Sequence, residues 1–260
     1  MHRLVSIAIS HYCEKVRWAL QWAGEPFVEQ AHVPLLHWPF SLGAGGGRTV
    51  PVLVTQDGDI LADSTDILLW LSQRHPSLHL FGRTPDDQKE IRRLEAHFDR
   101  HLGPATRRWG YYHLLPNKDA TIQYVAQQVS PAERLLFRLT LPLSGRLMRR
   151  GLKINAAGEA RSRQKIKQIF HEVSELVADG RPFLVGPTLS AADLTFASLA
   201  SVVLQPSEHP VPFLPLAMQP AAVQSLVTGL RQTPAGVYGL GLYQYFRKSR
   251  TPSSDVSANG

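Results

Sequence analysis

Residues 4–9 form a short apolar, β-branched run suited to a buried strand, which passes through Ser10-His11-Tyr12 into residues 13–23. That segment lacks Gly and Pro and sets Val16, Leu20 and Ala23 on one helical face, so it predicts a helix, with Gly24 as its stop. Residues 27–33, 50–54 and 60–62 read as further strands, the last two joined by an Asp57-Gly58 turn signal. A helix follows from about Ser64 through Ile67, Leu68 and Leu71 to Arg74, stopping before His75-Pro76 because a residue preceding proline is pushed out of the helical region.

Beyond residue 82 the alternating patterns disappear. Thr84-Pro85-Asp86-Asp87 opens a helix expected to run to about Leu102, where Gly103-Pro104 breaks or kinks it. Ser130-Pro131-Ala132-Glu133 opens another, with a kink expected at Pro142. Residues 156–179 form a long amphipathic helix, a more apolar one begins after Ser190, and a proline-rich connection over 206–220 leads to two last helices near 220–232 and 234–248. The polar tail from Thr251 is expected to be disordered. The pattern therefore predicts an α/β unit over 1–82 and a larger all-helical unit over 83–250, with 251–260 as tail.

Composition narrows the classes. With 260 residues and 43% hydrophobic content the chain can bury a real core. Its longest apolar segment, 194–204, is about half of the ~20 residues a membrane span requires. The start of the chain lacks the apolar core and cleavage pattern of a secretory signal, so a cytoplasmic location is expected. The single cysteine, Cys13, excludes an internal disulfide and a multi-thiolate zinc site. The scattered histidines, His97 and His101 included, have no evident third ligand, so no metal is expected. Charge is uneven: residues 1–82 carry five Lys/Arg against seven Asp/Glu, residues 83–260 twenty-three against fourteen. A basic second half attracts anions, but its cations alternate with acids and no nucleic-acid motif accompanies them, which argues against a nucleic-acid partner.

Ser10-His11-Tyr12-Cys13-Glu14-Lys15-Val16 after a strand, Thr49-Val50-Pro51-Val52-Leu53 before a hairpin, and Asp63-Ser64 opening a helix occur in the order seen in a known family. With Gly186-Pro187-Thr188-Leu189-Ser190-Ala191-Ala192-Asp193 in the helical half, they resemble the glutathione transferase superfamily, in particular its serine-type, bacterial-like cytosolic members. The resemblance implies a thioredoxin-like N-terminal domain followed by a larger all-helical C-terminal domain. It implies an enzyme that conjugates glutathione to hydrophobic electrophiles or uses it to reduce peroxides or disulfides, a homodimer, and glutathione as co-substrate with no resident cofactor. The chain departs from a typical member in its extra helical length and in His11, where thioredoxin-like relatives often place proline.

The chemistry can be argued from the residues. Glutathione attacks as a thiolate, which needs a hydrogen-bond donor and positive potential at its sulfur; a hydroxyl at a helix N-terminus offers both. Ser10 stands at that position, where it can equally be only an N-cap. Cys13, in the first helical turn, competes as the reactive group unless burial suppresses its thiolate. Tyr12 is a third possible donor. By the resemblance, Val50 would pair with the glutathione backbone beside a cis Pro51, Asp63 would neutralise its ammonium, and Ser64 would hold a carboxylate at a helix start. Arg48 and His37 are the available cations for the second carboxylate, and the glycine run 43–47 is expected to be a mobile flap over the site. Ser190 and Asp193, flanked by Leu189 and Leu194, read as a capping box with a hydrophobic staple, a folding device. Trp109, Tyr111, Tyr112 and His113 fall where an electrophile pocket would lie, or are ordinary packing aromatics. The contrasting class is a non-catalytic binding or adaptor protein of the same fold, favoured by the long basic helical half.

Overall fold

The computed structural model describes residues 1–247. The tail over 251–260 and the last residue of the expected final helix lie outside them. Four strands, β1 (His2–Ile7), β2 (Phe27–His32), β3 (Val52–Val54) and β4 (Ile60–Leu61), form one sheet in the order β2-β1-β3-β4. β1 and β2 run parallel, joined by the crossover helix α1 (His11–Ala23), while β3 lies antiparallel to β1 and to β4. Alternation along the strands sorts two layers. Leu4 and Leu53 face the main core with Leu20, Ile67 and Leu68, whereas Val5 and Val52 pack with Ala44 on the other side. Ala44 follows a short helix, α2 (Trp38–Gly43), which the proline in its first turn opens and which the sequence reading left irregular. In the glycine run that begins at its end, Gly45 and Gly46 pack closely, a Cβ on Gly46 lying 2.5 Å from the Val52 side chain, while Gly43 and Gly47 meet nothing within 4 Å.

Helix α1 begins at the Ser10 cap and ends at Gly24, whose φ of 73° is one that a side chain disfavours. Helix α3 (Ser64–Arg74) begins at the Asp63 cap. The helical half then supplies α4 (Pro85–Leu114), α5 (Lys118–Val125), α6 (Pro131–Gly151), α7 (Ala156–Leu176), α8 (Ala191–Leu204), α9 (Ala221–Arg231) and α10 (Pro234–Phe246). Helix α8 is buried along nearly its whole length, packed against α1, α4, α9 and α10. One hydrophobic core therefore runs from the sheet through α1 and α3 into the helical half.

Helix α4 corrects the expected break at Gly103-Pro104: it continues for a further ten residues. Proline removes the donor to the Arg100 carbonyl and crowds the preceding turn, and α1 braces the helix at neighbouring carbonyls. The Tyr12 hydroxyl donates to the Asp99 carbonyl at 2.8 Å, and His11 Nε2 donates to the Gly103 carbonyl at 3.1 Å. Thr106 adds its hydroxyl to the Leu102 and Gly103 carbonyls. Tyr12 sits so closely over Gly103 that a side chain there would overlap its hydroxyl. The His11-Tyr12 pair is thus a clasp between α1 and the Gly103-Pro104 stretch of α4.

Candidate functional site

The loop after β1, the loop before β3, the starts of α1 and α3 and the middle of α4 enclose a cavity of about 990 Å³. Ser10, Arg48, Val50, Pro51, Asp63 and Ser64 line it from the sheet side; Arg107, Trp109, Tyr111 and Tyr124 line it from the helical side. Sequence positions 10 to 64, scattered over three connections, are brought together there.

Ser10 is half-buried, and its Oγ accepts the Cys13 N–H at a long 3.4 Å. A hydroxyl has one donor and two acceptor lone pairs, so acting as a cap leaves its O–H available to a ligand. Cys13, in contrast, is fully buried and absent from the cavity wall. Burial pushes its thiol up to about 11, with Arg17 and Ser10 opposing. The structure corrects its candidacy as the reactive group: a thiol held protonated in the core has neither the charge nor the access for attack. Tyr12 is corrected likewise, since its hydroxyl is spent on Asp99 and burial raises its pKa strongly.

Val50 precedes a cis bond to Pro51 and stands outside the sheet register. Its N–H and C=O find no backbone partner among the described residues, so both remain for an extended ligand. Asp63 accepts the Thr65 N–H at 2.7 Å through Oδ1 alone, and Ser64, nearly buried, begins the helix beside it. His37 and Arg48 separate. The buried His37 accepts the Leu35 N–H at Nδ1 and donates from Nε2 to the Arg48 carbonyl, which fixes a neutral ring with both nitrogens engaged. Burial lowers its pKa in the same sense. Arg48 is exposed, with its guanidinium 5.1 Å from the centre of the Trp38 ring.

The floor of the site is rigid and charged. Lys15, fully buried in α1, bonds Glu95 at 2.6 Å and Asp99 at 3.1 Å, and Thr65 of α3 also donates to Glu95 at 2.7 Å. Glu14, Arg17 and Arg247 form a second buried group under α1, with Arg247 Nε 2.7 Å from Glu14. Burial, followed by the Arg107 charge, pushes His11 down to about 3.

Arg107 and Tyr124 are cavity residues that sequence reasoning missed. Asp99, which lines the same cavity, is paired with Lys15. Breaking α4 at Gly103 lost the helical phase that places position 107 one turn further on, facing the same cavity.

A thioredoxin-like sheet whose connecting loops hold one side of a cavity, docked on helices that hold the other, defines a two-part binding fold. Residues 4–83 match the family model of the glutathione S-transferase N-terminal domain. The whole chain is similar to a glutathione S-transferase from Rhodospirillum rubrum F11, with 20% identity, a TM-score of 0.57 and 97% of this chain and 94% of that chain covered. A glutathione S-transferase from Methylobacillus flagellatus KT with GSH bound shows 16% identity and a TM-score of 0.54, over 95% of this chain and 97% of that one. Ure2p5 from Phanerochaete chrysosporium, cocrystallized with 1-(S-glutathionyl)-2,4-dinitrobenzene, shows 18% identity and a TM-score of 0.54, over 94% of each. No curated protein sequence matches the chain significantly. Residues 4–83 thus match a glutathione S-transferase N-terminal domain, and the chain as a whole shares the fold of solved glutathione S-transferases.

Proposed function

We propose that this protein binds glutathione on the sheet side of the cavity, activates it as a thiolate at Ser10 and directs it at a hydrophobic electrophile held on the helical side. The observation that carries the reading is the convergence of three unfilled positions on one cavity: the Ser10 hydroxyl at the start of α1, the unpaired Val50 backbone, and the Asp63-Ser64 start of α3. Glutathione is a peptide with an ammonium, two carboxylates and a thiol, and each has a counterpart here. Asp63 takes the ammonium, Ser64 and the α3 N-terminus the adjacent carboxylate, Val50 the peptide backbone, and Arg48 the remaining carboxylate. The Ser10 O–H then points its donor at the sulfur, with the α1 N-terminus and Arg107 adding positive potential.

As the thiolate forms, its proton leaves to solvent. The sulfur then attacks the electrophilic carbon and the displaced group departs as an anion. Trp109, Tyr111 and Tyr124 supply an apolar, aromatic wall for the second substrate. The Ure2p5 complex holds a conjugate of this kind, which fits the same reaction class; reduction of a peroxide or disulfide begins from the same thiolate. Action in the cytoplasm, where glutathione and free thiols stay reduced, and assembly as a homodimer belong to this reading. Retention on immobilised glutathione together with turnover of 1-chloro-2,4-dinitrobenzene is the expected outcome. Retention without turnover across several electrophiles and peroxides would instead assign the protein to the non-catalytic class.

A further inference from the structure

Helix α6 turns an unusual face to solvent. Leu135, Leu139 and Leu143 follow one another at four-residue intervals with Leu136 and Leu147 beside them, and these five side chains are 47–69% exposed. The opposite face is satisfied: Phe137 and Leu141 pack with Val33 and Val125, and Glu133 ties the helix start to the Val33 N–H at 2.8 Å. The outward leucines are therefore not a core face turned the wrong way. Five arginines, Arg134, Arg138, Arg146, Arg149 and Arg150, share the helix with a single acid, Glu133, which is already bonded to His32 and Val33.

An exposed apolar row bordered by arginines has a specific complement. Nucleic acid offers phosphates but nothing to cover leucines. A second α6 laid against this one would cover the leucines but crowd ten arginines together. An anionic lipid surface meets both demands, since leucines enter the acyl boundary while arginines reach headgroup phosphates along their apolar stems. We propose that α6 is a membrane-surface docking helix that lies flat on anionic lipid. No helix among the described residues is long and apolar enough to cross a membrane, so the contact is peripheral. Leu147 belongs both to the exposed row and to the cavity wall, beside Met148 and Leu152. If the proposed function holds, docking would set the electrophile side of the cavity next to the bilayer, where hydrophobic substrates dissolve; the docking itself does not depend on that chemistry.

Co-sedimentation of the full chain with large vesicles tests the proposal. Partition into vesicles of equal phosphatidylcholine and phosphatidylglycerol is expected, falling at least tenfold with phosphatidylcholine alone or at high salt. The double substitution Leu139→Asp/Leu143→Asp, on the exposed face, should lower the partition coefficient about tenfold or more while leaving the circular dichroism spectrum and glutathione retention unchanged. Arg138→Gln/Arg146→Gln, which disturbs no apolar contact, should weaken partition several-fold and flatten its salt dependence. Absence of partition into the anionic vesicles overturns the proposal. So does partition that neither variant changes, which would put the contact on another basic surface. A variant that binds vesicles as before but loses a dimer seen in the unsubstituted chain would give the leucine row to a second copy, and would overturn it equally.

Discussion

Two kinds of helix start in this protein use the same residues for opposite ends. At α8, Asp193 is fully buried and each oxygen is saturated: Oδ1 accepts the Leu184 N–H at 2.8 Å and the Tyr238 hydroxyl, and Oδ2 accepts the N–H and the hydroxyl of Ser190, both at 2.7 Å. At α1 and α3 the caps are half-used. Ser10 accepts one long bond and keeps its donor, and Asp63 gives one oxygen to Thr65 while standing exposed at a cavity. A cap whose capacity is spent inside the protein stabilises the fold. One whose capacity is left over beside a cavity can serve a ligand. The sequence grammar of the two is alike, so the distinction belongs to packing.

The sharpest way to separate them is to remove each. Asp193→Ala leaves the Leu184 and Ser190 N–H groups and the Tyr238 hydroxyl buried without an acceptor, and should cost about 3 kcal/mol or more of stability, beyond the ~0.5–2 kcal/mol of an exposed cap. Its glutathione dissociation constant should not move. Urea unfolding paired with calorimetric titration reads both, and a loss of affinity without a loss of stability would erase the distinction. Ser10→Ala should do the reverse, cutting conjugation by about 10- to 1,000-fold, the scale of losing a preorganised donor, with little change in melting. Asp63→Ala lies between the two, weakening glutathione binding by about 1–3 kcal/mol through loss of a charge-assisted bond. An unchanged dissociation constant would make Asp63 a cap and nothing more.

The clasp between α1 and α4 adds a pH signature. Burial holds His11 at about 3, against about 6.5 in an unfolded chain. Between those values the unfolded chain binds a proton that the folded chain refuses, so stability is full above about pH 6.5 and falls as pH drops toward 3. From pH 7 to pH 5 this amounts to about 2 kcal/mol, and His11→Gln, which keeps a donor for the Gly103 carbonyl, should flatten that part of the slope. Denaturant midpoints measured across the interval check it; parallel slopes in the two proteins would take His11 out of the account.

Much of this was legible beforehand, for physical reasons that differ from place to place. The strands and α1 carry short-range signals, apolar runs bounded by Ser10 and Gly24, and their positions agree with the structure to within two residues at most ends. The glutathione transferase resemblance agrees with the family match and the shared fold. What the chain hid depends on distant partners. No local rule at Gly103-Pro104 announces that α4 continues through Pro104, nor that His11 and Tyr12, some ninety residues away, brace it there. The burial of Lys15, Arg17 and Glu14 is equally invisible locally, because α1 reads as an amphipathic helix with a charged outer face, whereas Glu95, Glu29 and Arg247 turn that face inward. Cys13 looked reactive from its place in the first turn; its burial decides otherwise. Arg107 was lost with the phase of its helix.

The central claim is that the half-used cap at Ser10 holds a thiolate. Ultraviolet difference titration of the glutathione complex against the free protein tests it most directly, because the difference isolates the thiolate absorbance of the bound sulfur. The account expects an apparent thiol pKa at least one unit below the ~8.5 of an ordinary thiol, unchanged in Cys13→Ala and raised by about a unit or more in Ser10→Ala. A bound thiol that titrates like the free one, or one whose lowered pKa survives the loss of Ser10, would contradict it.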